Sequence, residues 1–182
     1  MSHILVIYAT REGQTSRIAA HIAQRLQGAG HVVQCYPAEA VSTTLDPAAY
    51  AAVIVGASIH YGRHPRYLRT LLRRHGAALS VRPTAFFSVS LSGGGPGAKP
   101  EAARRYLDTF LQQTGWRPTR TAIFPGALRY SQYGYFKRLM MRLIVGMAGG
   151  DTDTSRDYDY TDWAVVDRFA DDCGTALLMS AG

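Results

Sequence analysis

A hydroxyl-rich segment near the start of the chain, Thr10 to Thr15 (TREGQT), has the residue types that bind an anion. Thr10 and Thr15 supply hydroxyl groups, and Gly13 permits the backbone conformations of a tight turn. The first N–H groups of a helix have no partner within the helix, so a helix that follows such a turn favours a phosphate. The segment lacks the lysine of a nucleotide P-loop and the glycines of a dinucleotide motif. It predicts a phosphate site of another kind, with a capped helix start that holds no ligand as the alternative.

Two later segments carry residues suited to a planar ring, GASIHYG (56–62) and SVSLSGGG (88–95). Tyr61 is a candidate to stack on such a ring, and the alternative is an ordinary half-exposed aromatic residue. The backbone groups of Ser58, Ile59 and Gly62 are available to the ring's edge. His60 is the nearest candidate for a general base by its position in the loop. We predict no metal site, because Pro65 follows the His60 and His64 pair and no carboxylate supports it.

Strands that alternate with helices must position these segments. We predict strands at about 4–8, 31–36, 50–58, 83–91 and 121–126, and helices at about 18–26, 65–79, 101–113 and 162–178. This alternation predicts a parallel sheet covered on both faces. The three segments should then lie together at the carboxyl edge of the sheet, where open α/β sheets bind ligands. We interpret the glycine-rich stretch after Leu91 as a flexible loop near a cofactor.

The segment from Leu128 to Asp162 does not fit this alternation, and its length is typical of a functional insertion. An ideal helix over 135–147 places one broad apolar side opposite Arg138 and Arg142. Lys137 falls near the apolar boundary, where its long side chain can reach solvent. The apolar members are Phe136, Leu139, Met140, Leu143, Ile144 and Met147.

Composition limits the class of protein. A chain of 182 residues with 47% hydrophobic content fits one globular domain, 1–182. Residues 1–150 carry 18 Lys and Arg against 5 Asp and Glu, whereas 151–182 carry 2 against 8. Cys35 and Cys173 form no motif, and no apolar run is long enough to span a bilayer, so we expect a cytoplasmic protein. Candidate partners of the basic body are nucleic acid, an anionic membrane or an acidic small molecule.

The three segments resemble, in order and spacing, the FMN-contacting loops of flavodoxin-like proteins. A wider set of motifs is similar to the menaquinone-dependent protoporphyrinogen IX dehydrogenases, a flavodoxin-like family of haem biosynthesis: ATREGQT, VIVGASIHYGRH, FFSVSL, GWRP, GALRY, MMRLI, GGDTDT and YTDW. The resemblance covers nearly the whole chain. It implies an α/β flavodoxin-like three-layer sandwich, with a five-stranded parallel sheet of order 2-1-3-4-5 and a long insertion after strand 5, at about 128–160.

The resemblance also implies the site. FMN would be the cofactor, with its phosphate at the first loop and its ring between the other two. The predicted cofactor-binding residues are Thr10, Arg11, Glu12, Gly13, Gln14, Thr15, Ser58, Ile59, Tyr61, Gly62, Ser90, Leu91, Ser92, Gly93 and Gly94. Predicted catalytic residues are His60 and Tyr61. Predicted substrate-binding residues lie in the insertion, which pairs aromatic with cationic side chains, and are Arg129, Tyr130, Tyr133, Lys137 and Arg138.

The function implied is FMN-dependent oxidation of protoporphyrinogen IX to protoporphyrin IX, with menaquinone or ubiquinone as acceptor. We expect the insertion to receive the macrocycle and to rest on an anionic membrane surface, at the inner face of the cell membrane. The alternative for the insertion is an extra helix packed on the core. The alternative function is a flavodoxin-type electron carrier, although such carriers are typically acidic. We expect no nucleic-acid partner, because the arginines of 63–74 are spread as a solvated helix face.

Overall fold

The structure is a computed structural model that describes residues 1–41 and 46–180, without the side chains of 177–180. A parallel five-stranded sheet of order β2-β1-β3-β4-β5 runs through its centre. The predicted order is therefore confirmed. The strands are β1 (His3–Ala9), β2 (Val32–Pro37), β3 (Ala52–Ser58), β4 (Thr84–Ser90) and β5 (Arg120–Pro125).

The three central strands are apolar throughout because both faces of the sheet are covered. β3 is buried over Ala52–Ala57 and β4 over its whole length. Neighbouring side chains are closely fitted: a Cβ at Gly56 would lie 2.0 Å from the ring of Phe87. The edge strands β2 and β5 are partly exposed, and Pro125 is tolerated at the end of β5 because an edge strand needs fewer N–H donors.

Helices lie on both faces of the sheet. α1 (Gln14–Gly28) and α6 (Trp163–Ser180) pack together over one core. α2 (Arg66–Arg74), α3 (Gly76–Ser80) and α4 (Pro100–Thr114) cover the other. The single helix predicted over 65–79 is wrong, because the helix breaks at His75 before Gly76, a residue of low helix propensity.

The insertion forms a small structure of its own beyond β5. β6 (Ala127–Leu128) and β7 (Tyr158–Asp159) pair antiparallel and frame α5 (Tyr135–Met147). A separate apolar cluster under α5 contains Leu128, Tyr130, Tyr133 and Val145. Within the described residues, no helix is long and apolar enough to cross a membrane.

Candidate functional site

A cleft of about 540 Å³ opens at the carboxyl edge of the sheet. Residues from all three predicted loops line it, and α5 forms one of its walls. The predicted site residues among the lining are Thr10, Arg11, Glu12, Gln14, Thr15, Ser58, Ile59, His60, Tyr61, Gly62, Ser90, Leu91, Ser92 and Lys137. The structure thus brings together segments that lie as far apart in sequence as β1 and the insertion.

The first loop has the geometry of an anion site. Gly13 has a φ of +87°, and its N–H donates to Thr10 Oγ1 at 3.0 Å, which closes the turn before α1. Ser16 Oγ donates back to the Gly13 carbonyl at 2.7 Å. Thr15 Oγ1 is buried and has no hydrogen-bond partner among the described residues. A hydroxyl in this position, beside the free N–H groups of a helix start, is available to a phosphate.

Two side chains of this loop turn toward the insertion. Glu12 accepts hydrogen bonds from Tyr133 OH at 2.6 Å and from Lys137 Nζ at 2.7 Å. Gln14 is almost fully buried, and its amide accepts from Arg129 Nη2 at 2.9 Å. The first loop is therefore joined to the insertion through hydrogen bonds from both Glu12 and Gln14.

The amide nitrogen of Gln14 makes a second set of contacts. It donates to Asp159 Oδ1 at 2.9 Å and to Thr161 Oγ1 at 2.7 Å. Neither acceptor was predicted from the sequence, although both belong to the YDYTDW stretch after the insertion. These contacts form because the insertion folds back onto α1, and the local sequence pattern does not predict that folding.

The second loop ends in a tight turn in which His60 and Arg63 pair through their backbones. Tyr61 lies at its tip with a φ of +49° and with 84% of its surface exposed. A left-handed backbone is unfavourable for a tyrosine, and such strain is typical of functional turns. The ring is free to stack on a planar group beside the cleft.

His60 is half-buried at the same turn. Burial lowers the pKa of its imidazole, and the neighbouring positive charges of Arg11 and Lys137 lower it further, against an opposing contribution from Glu12. The ring is therefore neutral at neutral pH and can accept a proton.

The third loop follows β4. Ser90 Oγ is buried and, like Thr15 Oγ1, has no partner among the residues that the structure describes. Leu91 and Ser92 line the cleft. Gly93 and Gly94 lie behind it, where Cβ atoms would come within 2.8 Å of the Phe124 carbonyl and 2.5 Å of the Pro125 ring.

The glycines that follow, which we interpreted as a flexible loop, make close contacts in the structure. A Cβ at Gly95 would lie 2.8 Å from the Tyr160 ring, and one at Gly97 would lie 2.3 Å from the Ala148 carbonyl. Both glycines have positive φ angles. Close packing against the insertion, together with the positive φ angles, accounts for glycine at both positions.

The five predicted substrate-binding residues occupy different positions. Lys137 lines the cleft. Tyr130 is fully buried and donates to the Asp151 carbonyl, and Tyr133 is 4% exposed. Arg138 donates to the carbonyls of Tyr130 and Tyr133 inside the insertion. Tyr130 and Arg138 thus bond within the insertion, and Arg129 and Tyr133 bond to the first loop. Of the five, Lys137 is the one that lines the cleft.

His64, the other half of the histidine pair, lies away from the cleft. Its Nε2 is 2.9 Å from Ser88 Oγ, and its ring packs against Phe86 and Phe110. Burial lowers its pKa to about 4. It is a neutral residue of the core.

The cleft also contains residues that we did not predict as part of the site. They are Val89, Tyr106, Gly126, Ala127, Met140, Met141 and Ile144. Tyr106 lies on α4 beneath the second loop, where a Cβ at Gly62 would lie 3.2 Å from its ring. A helix was predicted over 101–113, but the level of the sheet that Tyr106 reaches depends on how α4 packs.

The fold and the three loops define a flavodoxin-like protein. A family model described as a flavodoxin domain matches residues 5–155. Solved structures agree: a flavodoxin from the domain Archaea superposes with a TM-score of 0.56 at 14% identity, covering 96% of this chain and 98% of that one. A short-chain flavodoxin associated with a bacterial microcompartment gives a TM-score of 0.59 at 12% identity, with both chains fully covered. A flavodoxin domain binds FMN, so the predicted cofactor is confirmed.

Curated relatives narrow the class. The chain is 38% identical over 168 residues to protoporphyrinogen IX dehydrogenase (quinone) of Escherichia coli K12, covering 91% of each chain. It is 35% identical to the Leishmania major protein of the same name, covering 92% of this chain and 73% of that protein. The chain belongs to this family of dehydrogenases, as the sequence resemblance predicted.

Proposed function

We propose that this protein oxidises protoporphyrinogen IX to protoporphyrin IX with FMN and transfers the electrons to a membrane quinone, menaquinone or ubiquinone. The observation that carries the proposal is the 38% identity to an enzyme of that name over 91% of both chains. This span includes the insertion, which forms one wall of the cleft.

The residues of the cleft fit FMN. The Thr15 hydroxyl and the first N–H groups of α1 would hold the phosphate, and Thr10 and Gly13 shape the loop around it. The ring would lie between the second and third loops, with Tyr61 against it and the Ser90 hydroxyl as a partner for a polar edge. Bound FMN would supply the two-electron redox chemistry that this oxidation needs.

The wall formed by α5 suits a large apolar macrocycle that carries carboxylates. Met140, Met141 and Ile144 give it an apolar surface, and methionine adapts readily to irregular shapes. Lys137 and Arg11 place positive charge at the same opening. The macrocycle would thus lie between α5 and the second loop, with its carboxylates directed at these cations.

Oxidation also releases protons, and the imidazole of His60 is placed to accept one. It is neutral because burial lowers its pKa, and it lies in the loop that would face the reacting carbon. Its protonation would be reversed by solvent at the exposed edge of the cleft. Repeated two-electron rounds would complete the conjugated ring.

We further propose that α5 rests on an anionic membrane surface. Phe136, Leu143 and Met147 are 85%, 61% and 84% exposed, and they form a stripe on the helix beside the wall that lines the cleft. Arg142 is exposed on the same helix. An apolar stripe with flanking cations is typical of a helix that lies in the membrane interface, where a quinone is dissolved.

The test is an anaerobic assay of the FMN-loaded protein with protoporphyrinogen IX, with and without a quinone. Porphyrin fluorescence should rise only when the acceptor is present. A protein that binds FMN but produces no porphyrin with menaquinone or ubiquinone would instead be an electron carrier. Heat-denatured protein is the control for spontaneous oxidation.

A further inference from the structure

Met141 and Val145 pack against the cluster under α5, so hydrophobic packing fixes the helix from its middle to its C-terminal end. Of its thirteen residues, all within the described chain, Val145 is the one that is buried. The turn that follows is tightly packed, since Ala148 lies against Gly97 and Gly150 lies against Pro96 and Val145. The first turn of α5 has no such packing: Tyr135 and Phe136 are 78% and 85% exposed.

Glu12 holds this otherwise loose end of the helix. Its two carboxylate oxygens accept separately from Tyr133 OH, just before α5, and from Lys137 Nζ, in its first turn. Lys137 also lies over the Tyr133 ring at 4.2 Å, which joins the three side chains into one cluster. Arg138, the neighbouring cation, bonds only to carbonyls inside the insertion and does not tie α5 to the sheet.

The carboxylate of Glu12 lies at an unfavourable position for a negative charge. Glu12 lies in a loop built to hold a phosphate, where a second negative charge is unfavourable. Its bonds to Lys137 and Tyr133 offset that cost and at the same time fix the wall of the cleft. Arg11 and the helix start could serve the phosphate without it.

We infer that Glu12 is a positioning residue that holds α5 over the cleft, and that Lys137 exchanges Glu12 for a carboxylate of the substrate. The exchange is feasible because the Lys137 and Glu12 side chains are 46% and 23% exposed, so the bond between them is weak and readily replaced. The second half of the inference rests on the proposed function. The first half does not, since it concerns the position of α5 alone.

The positioning role is tested by hydrogen–deuterium exchange of α5 amides in the FMN-loaded protein. Glu12→Ala should speed exchange across 135–147 by about fivefold to tenfold, because the first turns lose their tie to the loop. Lys137→Met should have a smaller effect, about twofold to fivefold, because it removes the half-exposed ion pair and keeps the bond from Tyr133 to Glu12. Lys99→Met, at an exposed lysine before α4, should have no effect. The Kd for FMN should not rise in Glu12→Ala. Exchange within twofold of wild type, or a large loss of FMN affinity, overturns the positioning role.

The exchange of partners is tested with the reversed pair, Glu12→Lys with Lys137→Glu. The reversed pair should restore slow hydrogen–deuterium exchange of the α5 amides, because the bond between the two positions is re-formed. The KM of the reversed pair for protoporphyrinogen should be about tenfold higher than that of the wild-type protein, because the carboxylate introduced on α5 repels the substrate carboxylates. A wild-type KM in the reversed pair overturns the proposal that Lys137 exchanges Glu12 for a substrate carboxylate. If wild-type protein shows no turnover at all, the proposed function fails while the α5 measurement still decides the positioning role.

Discussion

Gln14 of the phosphate loop and Arg129 at the start of the insertion, 115 residues apart, are joined by a hydrogen bond of 2.9 Å. The same side chain reaches Asp159 and Thr161 at the far end of the insertion. One amide thus connects both ends of the insertion to the first loop, where we propose that the phosphate of FMN binds. The hydrogen bonds of Gln14 therefore tie the insertion to the first loop of the site.

We predict that Gln14→Ala destabilises the protein by about 1–3 kcal/mol, because Gln14 is itself buried and the substitution removes its hydrogen bonds to Arg129, Asp159 and Thr161. Urea unfolding measures the loss. Gln27→Ala is the matched control, since Gln27 is exposed on the same helix and makes one long bond of 3.4 Å to Val33 O. Equal stability of the two variants would contradict a linking role for Gln14.

Thr15→Val should change cofactor affinity and stability in opposite directions. The buried hydroxyl has no partner among the described residues, so an isosteric methyl should leave the protein without FMN equally stable or slightly more so. The Kd for FMN should rise by about tenfold or more, the effect of losing a hydrogen bond to a charged group. Quenching of FMN fluorescence gives the affinity. Thr70→Val, on the exposed face of α2, should leave it unchanged.

Stability should fall as the pH is lowered through the range in which His64 titrates. Its folded pKa is about 4, below the value near 6.5 of an unfolded chain, so the unfolded state binds more protons between these values. The contribution is constant above about pH 6.5 and is lost progressively down to about pH 4, on the order of 3 kcal/mol.

His64→Gln removes this titration and retains a polar partner for Ser88. Its free energy of unfolding should therefore depend less steeply on pH over that interval, as measured by urea unfolding at several pH values. His3→Gln, at an exposed position at the start of β1, is the control. A slope in His64→Gln as steep as that of the wild-type protein would refute the assignment.

Membrane contact by α5 can be measured with vesicles that contain anionic lipid. The double substitution Phe136→Ser with Leu143→Ser should reduce co-sedimentation by about tenfold or more, because each side chain would otherwise leave water for the interface. Val81→Ser removes an equally exposed apolar residue, 76% exposed, on the other side of the fold and should have no effect. Binding that is insensitive to the α5 variant would place the contact elsewhere.

Much of this arrangement could be predicted from local patterns. Short runs rich in apolar residues identified all five strands of the central sheet, and their alternation with helices predicted a parallel sheet. The predicted helix over 135–147 has the bounds of α5. The positions of the three loops followed, because the carboxyl ends of parallel strands share one edge. The break at His75 was missed because the apolar periodicity continues to Leu79.

The sequence by itself determined the fold, the class of cofactor and the family, since these depend on motifs that are each continuous in the chain. The tertiary structure decided which polar side chains meet. Tyr130 and Arg138 were predicted as substrate contacts from the composition of the insertion. In the structure Tyr130 is buried and Arg138 bonds within the insertion. Glu12 was predicted as a cofactor-binding residue, yet its carboxylate bonds to Tyr133 and Lys137 of the insertion. The hydrogen-bond partners of these side chains depend on how the insertion folds back onto the sheet. A contact between residues more than a hundred positions apart produces no periodic pattern in the sequence, so local patterns do not predict it.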